Sequence, residues 1–170
     1  MPFTPLHMGP GMLVKALLQG SFSLTLFGWT QILMDLQPLL AIITGEGQLH
    51  GFSHTYLGAS LIALIAALTG KHLAEWGLRL MRLPHLPSSS IITWPVVFFS
   101  AFVGSYSHVV LDSIMHSDMS PWFPFSDAHF LLGWTSIEAL HQFCLYSGLI
   151  GATLFYLIQW WQAKRHARHH

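Results

Sequence analysis

The stretch Trp94-Pro95-Val96-Val97-Phe98-Phe99-Ser100-Ala101-Phe102-Val103-Gly104-Ser105-Tyr106-Ser107-His108-Val109-Val110-Leu111-Asp112 joins an apolar segment to a short polar motif. It carries no charged side chain before His108, and crossing a bilayer takes about 20 apolar residues. Proline is tolerated in the first turn of a helix, so we expect a helix that starts near Ile91–Pro95. The stretch therefore predicts a membrane helix that ends in two ionisable side chains.

The composition of the whole chain also predicts a membrane protein. Of 170 residues, 52% are hydrophobic and only 8% are charged, and the mean hydropathy is +0.51. Soluble domains usually carry about 25% charged residues, so we expect the lipid bilayer to be a partner of the chain. Seven Lys and Arg balance seven Asp and Glu, which leaves no basic face for nucleic acid. The single cysteine excludes an internal disulfide and a cysteine-based zinc site.

Working outward, four uncharged segments predict an all-α, multi-pass transmembrane bundle. We expect about four membrane segments plus a short N-terminal helix, in one domain over residues 1–170. The expected segments are Ala16–Met34, Thr55–Gly70, Leu86–Ser107 and Gln142–Ala163. The second is short and bounded by glycine, so it is expected to span only part of the bilayer.

Basic residues mark one side of this predicted bundle. They lie in the segment Lys71–Arg82 and in the tail after Ala163, whereas acidic residues such as Glu46 and Asp118 lie in the other loops. By the positive-inside rule the basic loop and tail face the cytoplasm. The polar motifs are then expected on the non-cytoplasmic side of the cell (inner) membrane.

Ionisable side chains gather at that same predicted side. His50 and His54 precede the second segment, His108 and Asp112 end the third, and Asp35 lies toward the end of the first. Residues four apart share one face of a helix. Ionisable groups in membrane segments are costly and are functional candidates by default.

His7 precedes the first segment and would lie at the opposite face if that segment were one continuous helix. Gly20-Ser21 offers a break. With a turn there, His7 and Asp35 would both lie roughly 20 Å from it at ~1.5 Å per helical residue, side by side. We therefore expect a hairpin that returns His7 to Asp35, and a continuous helix over residues 9–34 would contradict it.

These residues together predict a metal site with hydrolytic chemistry. Imidazole and carboxylate suit zinc and related divalent ions, and one or two ions would leave positions open for water. A metal-bound hydroxide would attack an ester of a small-molecule or lipid substrate, with Asp35 as the expected bridge between ions. His116 or Asp118 would move a proton to the leaving group. The expected ligands are His7, Asp35, His50, His54, His108 and Asp112.

Other interpretations use the same residues. A metal or ion transporter would need polar groups through the full membrane depth, and the inner parts of the segments show almost none. A membrane cytochrome would use His54 and His108 as axial haem ligands. A purely structural role leaves the convergence of six ligand-type residues unexplained.

At these motifs the chain resembles the family of inner-membrane metal-dependent hydrolases described as LexA-regulated (the YdjM-like family). That family has an early histidine, an acidic motif after the first apolar segment, a His-Arg-Gly-x-Thr-His-Ser motif and a Ser-His-x-x-x-Asp motif before a Pro/Trp loop. The matching stretches here are His7, Met34–Pro38, His50–Thr55, Ser107–Asp112 and Pro121–Pro124.

The resemblance implies a metal-dependent hydrolase, with two departures. Gln37 stands where the family often has a second Asp, and the histidine motif lacks its Arg and is one residue shorter. The ligand order is similar to that of all-α zinc-dependent phospholipase C enzymes and related nucleases. That likeness implies a phosphoester substrate, by analogy alone.

Overall fold

The computed structural model describes residues 5–80 and 91–168, and all regular structure in these two ranges is helical. Short 3₁₀ turns lie at Pro5–His7, Gln19–Ser21 and Phe52–His54. The all-α prediction is confirmed. The α-helices of the described residues are α1 (Met8–Leu18), α2 (Leu24–Met34), α3 (Leu36–Thr44), α4 (Tyr56–Leu80), α5 (Trp94–Met115) and α6 (Ile137–Arg168).

Four helical stretches are long and apolar enough to cross a membrane, as the sequence predicts, and α1 is the short N-terminal helix. The third begins at Trp94, at the expected proline turn, and residues 86–90 of its predicted start lie outside the described residues. The spans are Leu24–Thr44, Tyr56–Gly77, Trp94–Met115 and Ile137–Arg165.

The predicted bounds of the first span are wrong. Helix α1 ends at Leu18, and Gln19 takes a left-handed φ of 47° as the chain turns. Ser23 then caps α2 by accepting a hydrogen bond from the backbone N–H of Leu26 at 3.4 Å. A serine at this position satisfies a helix N–H that has no partner within the helix. The span therefore begins at α2 and continues into α3.

The second span is longer than predicted, because Gly70 does not end α4. A Cβ at Gly70 would press on the side chains of Trp29 and Leu26 of α2, so the glycine allows close helix packing. The sequence predicts Lys71 in a loop, but it lies in α4. Its side chain forms an ion pair with Glu75, one helical turn further along α4. The paired charges let α4 continue as a full span.

Helices α1 and α2 form the expected hairpin. The backbone N–H of Ser23, at the turn, donates to Ser100 Oγ at 2.8 Å. Ser100 lies six residues inside the start of α5 at Trp94, which is about 9 Å at 1.5 Å per residue. The two open ends of the hairpin therefore lie at the same end of the bundle. The continuous helix over residues 9–34 does not occur.

Small side chains bring the helices into close contact below the polar end of the bundle. Ala63, Ala66 and Ala67 of α4 pack with Leu26 of α2 and Ala101 of α5 in one buried cluster. Membrane helices approach closely through small residues. On the other side of the bundle α1 packs on α6. This packing fixes the depth of His7, the residue just before α1.

Replacing Gly151 with Val should separate α1 from α6, because a Cβ there would lie 2.5–2.7 Å from backbone atoms of Met12 and Leu13. Backbone cannot move aside as a flexible side chain can, so we expect a loss of about 1–3 kcal/mol. The measurement is thermal unfolding in detergent. Gly77→Val is the matched control, since a Cβ at Gly77 meets no atom of the described residues within 4 Å. Equal destabilisation of both variants would contradict the packing argument.

Candidate metal centre

Five ionisable side chains converge at one end of the bundle, and each residue is at most 6% exposed. Three of them lie where a helix starts or is interrupted, and two lie one turn apart on α5. The hairpin and the interrupted helices therefore bring together residues that are far apart in the chain. They are His7 before α1, Asp35 between α2 and α3, His54 before α4, and His108 and Asp112 on α5.

Asp112 lies at the centre of this cluster. Its Oδ1 lies 3.5 Å from His7 Nε2, and its Oδ2 lies 3.5 Å from His54 Nε2 and 3.1 Å from His108 Nε2. Asp35 Oδ1 approaches His108 Nε2 at 3.5 Å. Two carboxylates and three imidazoles thus face a common point.

Four buried ring nitrogens of these histidines have no hydrogen-bond partner among the residues that the structure describes. They are Nε2 of His7, His54 and His108, together with Nδ1 of His7. A buried polar atom without a partner costs about 1–3 kcal/mol, and native structures avoid such groups unless they serve a function. Such nitrogens beside two carboxylates are a donor set that could hold a metal ion.

Gln31 fixes the orientation of His108, and the sequence analysis missed it. Its Oε1 lies 2.7 Å from His108 Nδ1, while its Nε2 donates to Gly104 O at 2.8 Å. An amide oxygen can only accept, so His108 Nδ1 carries a proton, and in the neutral ring the lone pair is then on Nε2. The only signal in the sequence was a polar residue one turn before Asp35, in an apolar helix.

Gln37 positions the loop of His54, which gives a role to the residue that departs from the family pattern. Gln37 Oε1 accepts from the backbone N–H of Ser53 at 3.0 Å, and Ser53 Oγ lies 2.8 Å from His54 Nδ1. A Cβ at Gly51 would overlap the amide of Gln37. The glycine of the histidine motif therefore makes room for this support.

We call the five converging residues the buried centre. Burial keeps two of its histidines, His7 and His54, in the neutral form. It lowers the pKa of His7 to about 4, against the opposing attraction of Asp112. It also lowers the pKa of His54, where the nearby carboxylate of Asp112 acts in the opposite direction. Removing a cationic group from water disfavours its charged form. Both rings are therefore neutral near pH 7, which is the form that binds a metal ion.

The other three predicted residues form an adjoining, more exposed group, which we call the outer cluster (His50, His116 and Asp118). His50 Nδ1 lies 2.9 Å from Asp118 Oδ2, and the His50 ring stacks on that of His116 with centroids 4.1 Å apart. Burial raises the pKa of Asp118, but the hydrogen bond from His50, together with the charges of His50 and His116 and a backbone hydrogen bond, outweighs burial, so the pKa is lowered overall. Burial lowers the pKa of His116.

All eight predicted site residues thus lie at one end of the bundle, five in the buried centre and three in the outer cluster. Their ligand atoms form overlapping groups of three, each within 4.8 Å, that could hold a metal ion. Asp112 Oδ2 lies between the Nε2 atoms of His54 and His108. The ring centroids of His54 and His108 lie 5.2 Å apart at an interplanar angle of 63°, and the haem interpretation stays a prediction. The groups include His7 with His108 and Asp112, Asp35 with His54 and His108, and His50 with His54 and Asp112.

No family model matches the chain, and no curated protein or solved structure matches it either. The resemblance to the YdjM-like family therefore stays a prediction from the motifs.

Replacing Gln31 with Leu should weaken the binding of a divalent ion. His108 Nδ1 loses its buried acceptor, and loss of such a supporting hydrogen bond typically costs about 10–100-fold in metal affinity. Gln31→Glu keeps an acceptor and should retain most of the affinity. Zinc affinity in detergent is the measurement, with Gln162→Leu at the exposed end of α6 as control. Unchanged affinity in Gln31→Leu would show that His108 Nε2 is not a ligand.

Proposed function

We propose that this protein is a membrane-embedded, metal-dependent hydrolase that acts on a phosphoester or lipid-like substrate. The observation that carries the proposal is the buried group of histidine nitrogens without partners, directed at Asp112 and Asp35. Ionisable residues in and beside membrane segments are costly and are functional candidates by default. A cluster of five such residues is more readily explained by a function than by folding alone.

Zinc is the ion that we propose, in one or two positions. Three imidazoles with carboxylate donors match its usual ligands, and a catalytic zinc keeps one position for water. When bound, such an ion lowers the pKa of a water ligand to about 7 and polarises a substrate oxygen. The role of the protein side chains is to hold neutral imidazoles and carboxylates in place.

The two carboxylates, Asp112 and Asp35, have different roles in the proposed site. Asp112 contacts three imidazoles through both of its oxygens, so the geometry favours it over Asp35 as the bridge between two ions. Asp35 Oδ1 lies 3.5 Å from His108 Nε2, and Asp35 groups with His54 and His108, so we assign it as a ligand of the ion beside these two histidines.

His116 is the better placed of the two proton carriers suggested by the sequence. Asp118 already accepts a hydrogen bond from His50, which occupies its carboxylate. His116 follows α5 directly, half-buried beside His50. It therefore lies between the buried centre and the exposed loop, where a leaving group would receive its proton.

A groove of about 450 Å³ beside the centre supports a lipid-like substrate. Its walls come from the spans α2–α3 and α4 and include the apolar side chains of Leu33, Leu40 and Ile65. Gln37 and Ser53, which support His54, line the same groove. A volume of this size accommodates a small ligand, and an acyl chain is the apolar molecule that a bilayer supplies.

The charges at the opposite end support an orientation with the site on the non-cytoplasmic side. Lys164 and Arg165 near the end of α6 lie over the rings of Trp160 and Trp161. Basic and aromatic residues together are typical of a cytoplasmic membrane interface. Arg82, which also entered the prediction, lies outside the described residues.

We expect the purified protein to hold about one to two equivalents of zinc and to cleave a chromogenic phosphodiester, because the donor set matches two-metal hydrolytic sites. His108→Ala should remove both the metal and the activity, since His108 approaches both carboxylates. Elemental analysis and a phosphodiesterase assay are the measurements.

His129→Ala is the matched control, because His129 is an exposed histidine in the loop between α5 and α6. A wild type that stays metal-free after incubation with zinc and removal of the excess would overturn the proposal. Metal bound without hydrolysis, but carried across a vesicle membrane, would favour the transporter instead.

Ile65→Trp should fill part of the groove and discriminate between substrates. We expect hydrolysis of a long-chain phospholipid to fall about tenfold, equivalent to about 1.4 kcal/mol, with hydrolysis of a short soluble phosphodiester unchanged. Leu64→Trp, on the neighbouring exposed position of α4 outside the groove lining, should change neither. Equal loss for both substrates in Ile65→Trp would exclude the groove as the place of an acyl chain.

A further inference from the structure

The outer cluster connects the buried centre to the surface. The side chain of His50 is 9% exposed and that of Asp118 is 52% exposed. His50 also meets the buried centre, with its ring centroid 5.0 Å from that of His54. His50 is therefore the residue shared by the centre and the surface.

The three residues of the outer cluster cannot share one ion in the observed arrangement, although their ligand atoms lie within 4.8 Å of one another. The rings of His50 and His116 are stacked with an interplanar angle of 26°. An imidazole binds zinc through its in-plane lone pair at about 2.0–2.1 Å. Lone pairs of two stacked rings run side by side, so they do not meet at that distance.

A different set of three residues, His50, His54 and Asp112, is compatible with a shared ion. A ligand atom of His50 lies within 4.8 Å of one from His54 and one from Asp112. The rings of His50 and His54 are nearly perpendicular, at 83°, which permits their lone pairs to converge. Asp118 takes the Nδ1–H of His50 as a hydrogen-bond donor, so the lone pair of His50 is on Nε2.

We propose that His50, His54 and Asp112 hold a second divalent ion, and that Asp118 positions His50 for it. The inference rests on the proposed metal-dependent function, because His54 and Asp112 also belong to the buried centre. A carboxylate that accepts from a ligating histidine fixes its ring and raises its basicity. Since His50 joins the buried centre to the exposed Asp118, we expect this ion to exchange more readily than the first.

The test is a titration of metal-free protein with Co²⁺, followed by visible absorption, which needs no activity. The wild type should bind two ions, one tighter than the other. Asp118→Ala should weaken the second ion about 10–100-fold and leave the first unchanged, the usual size of an effect through a supporting partner. Asp118→Asn keeps an acceptor oxygen and should lie between the two.

Two further variants separate the possible outcomes. His50→Ala should abolish only the second ion, and Asp127→Ala, an exposed acid in the same loop, should behave as the wild type. Two-ion binding that is unchanged in both Asp118→Ala and Asp118→Asn would overturn the positioning role. If Asp118→Ala fails to fold, Asp118→Asn decides.

The failure of this inference can be distinguished from failure of the proposed function. A wild type that binds a single Co²⁺, lost in His108→Ala and kept in His50→Ala, would overturn the second ion and leave the buried centre standing. A wild type that binds no Co²⁺ would overturn both.

Discussion

Asp112 places a carboxylate where only 4% of the residue is exposed, among the Nε2 atoms of three histidines. Removing a carboxylate from water costs several kcal/mol unless hydrogen bonds or a cation compensate for it. The bundle meets this constraint by bringing His7, His54 and His108 to the same point. The hairpin, the turn before α4 and the one-turn spacing on α5 all serve that convergence.

The ligands come largely from places where helices begin or break. Asp35 separates α2 from α3, and the turn Phe52–His54 delivers His54. Only α5 supplies its ligands from an uninterrupted helix. Backbone groups at membrane depth must find partners within the protein, and side chains such as Ser23 and Gln37 provide them. The polar supports around the site therefore hold its backbone as well as its ligands.

The proposed chemistry depends on two regions that adjoin the buried centre. The groove beside Ser53 opens along the apolar walls of the spans, whereas His50 and Asp118 lead to the exposed loop. A lipid-like substrate and an exchangeable ion would then approach from different directions. This separation would let a water-excluded centre, in which electrostatic interactions are stronger, remain accessible to both.

The sequence by itself determined the all-helical membrane bundle, because apolar composition and segment length leave few other structures possible in lipid. It also identified the candidate ligand residues, since ionisable side chains in and beside membrane segments are functional candidates by default. Only the tertiary structure decided the central place of Asp112, the support from Gln31 and Gln37, and the full length of α4. Those features depend on contacts between distant helices, such as His108 with Gln31 and Gly70 with Trp29, which periodicity along one segment does not encode.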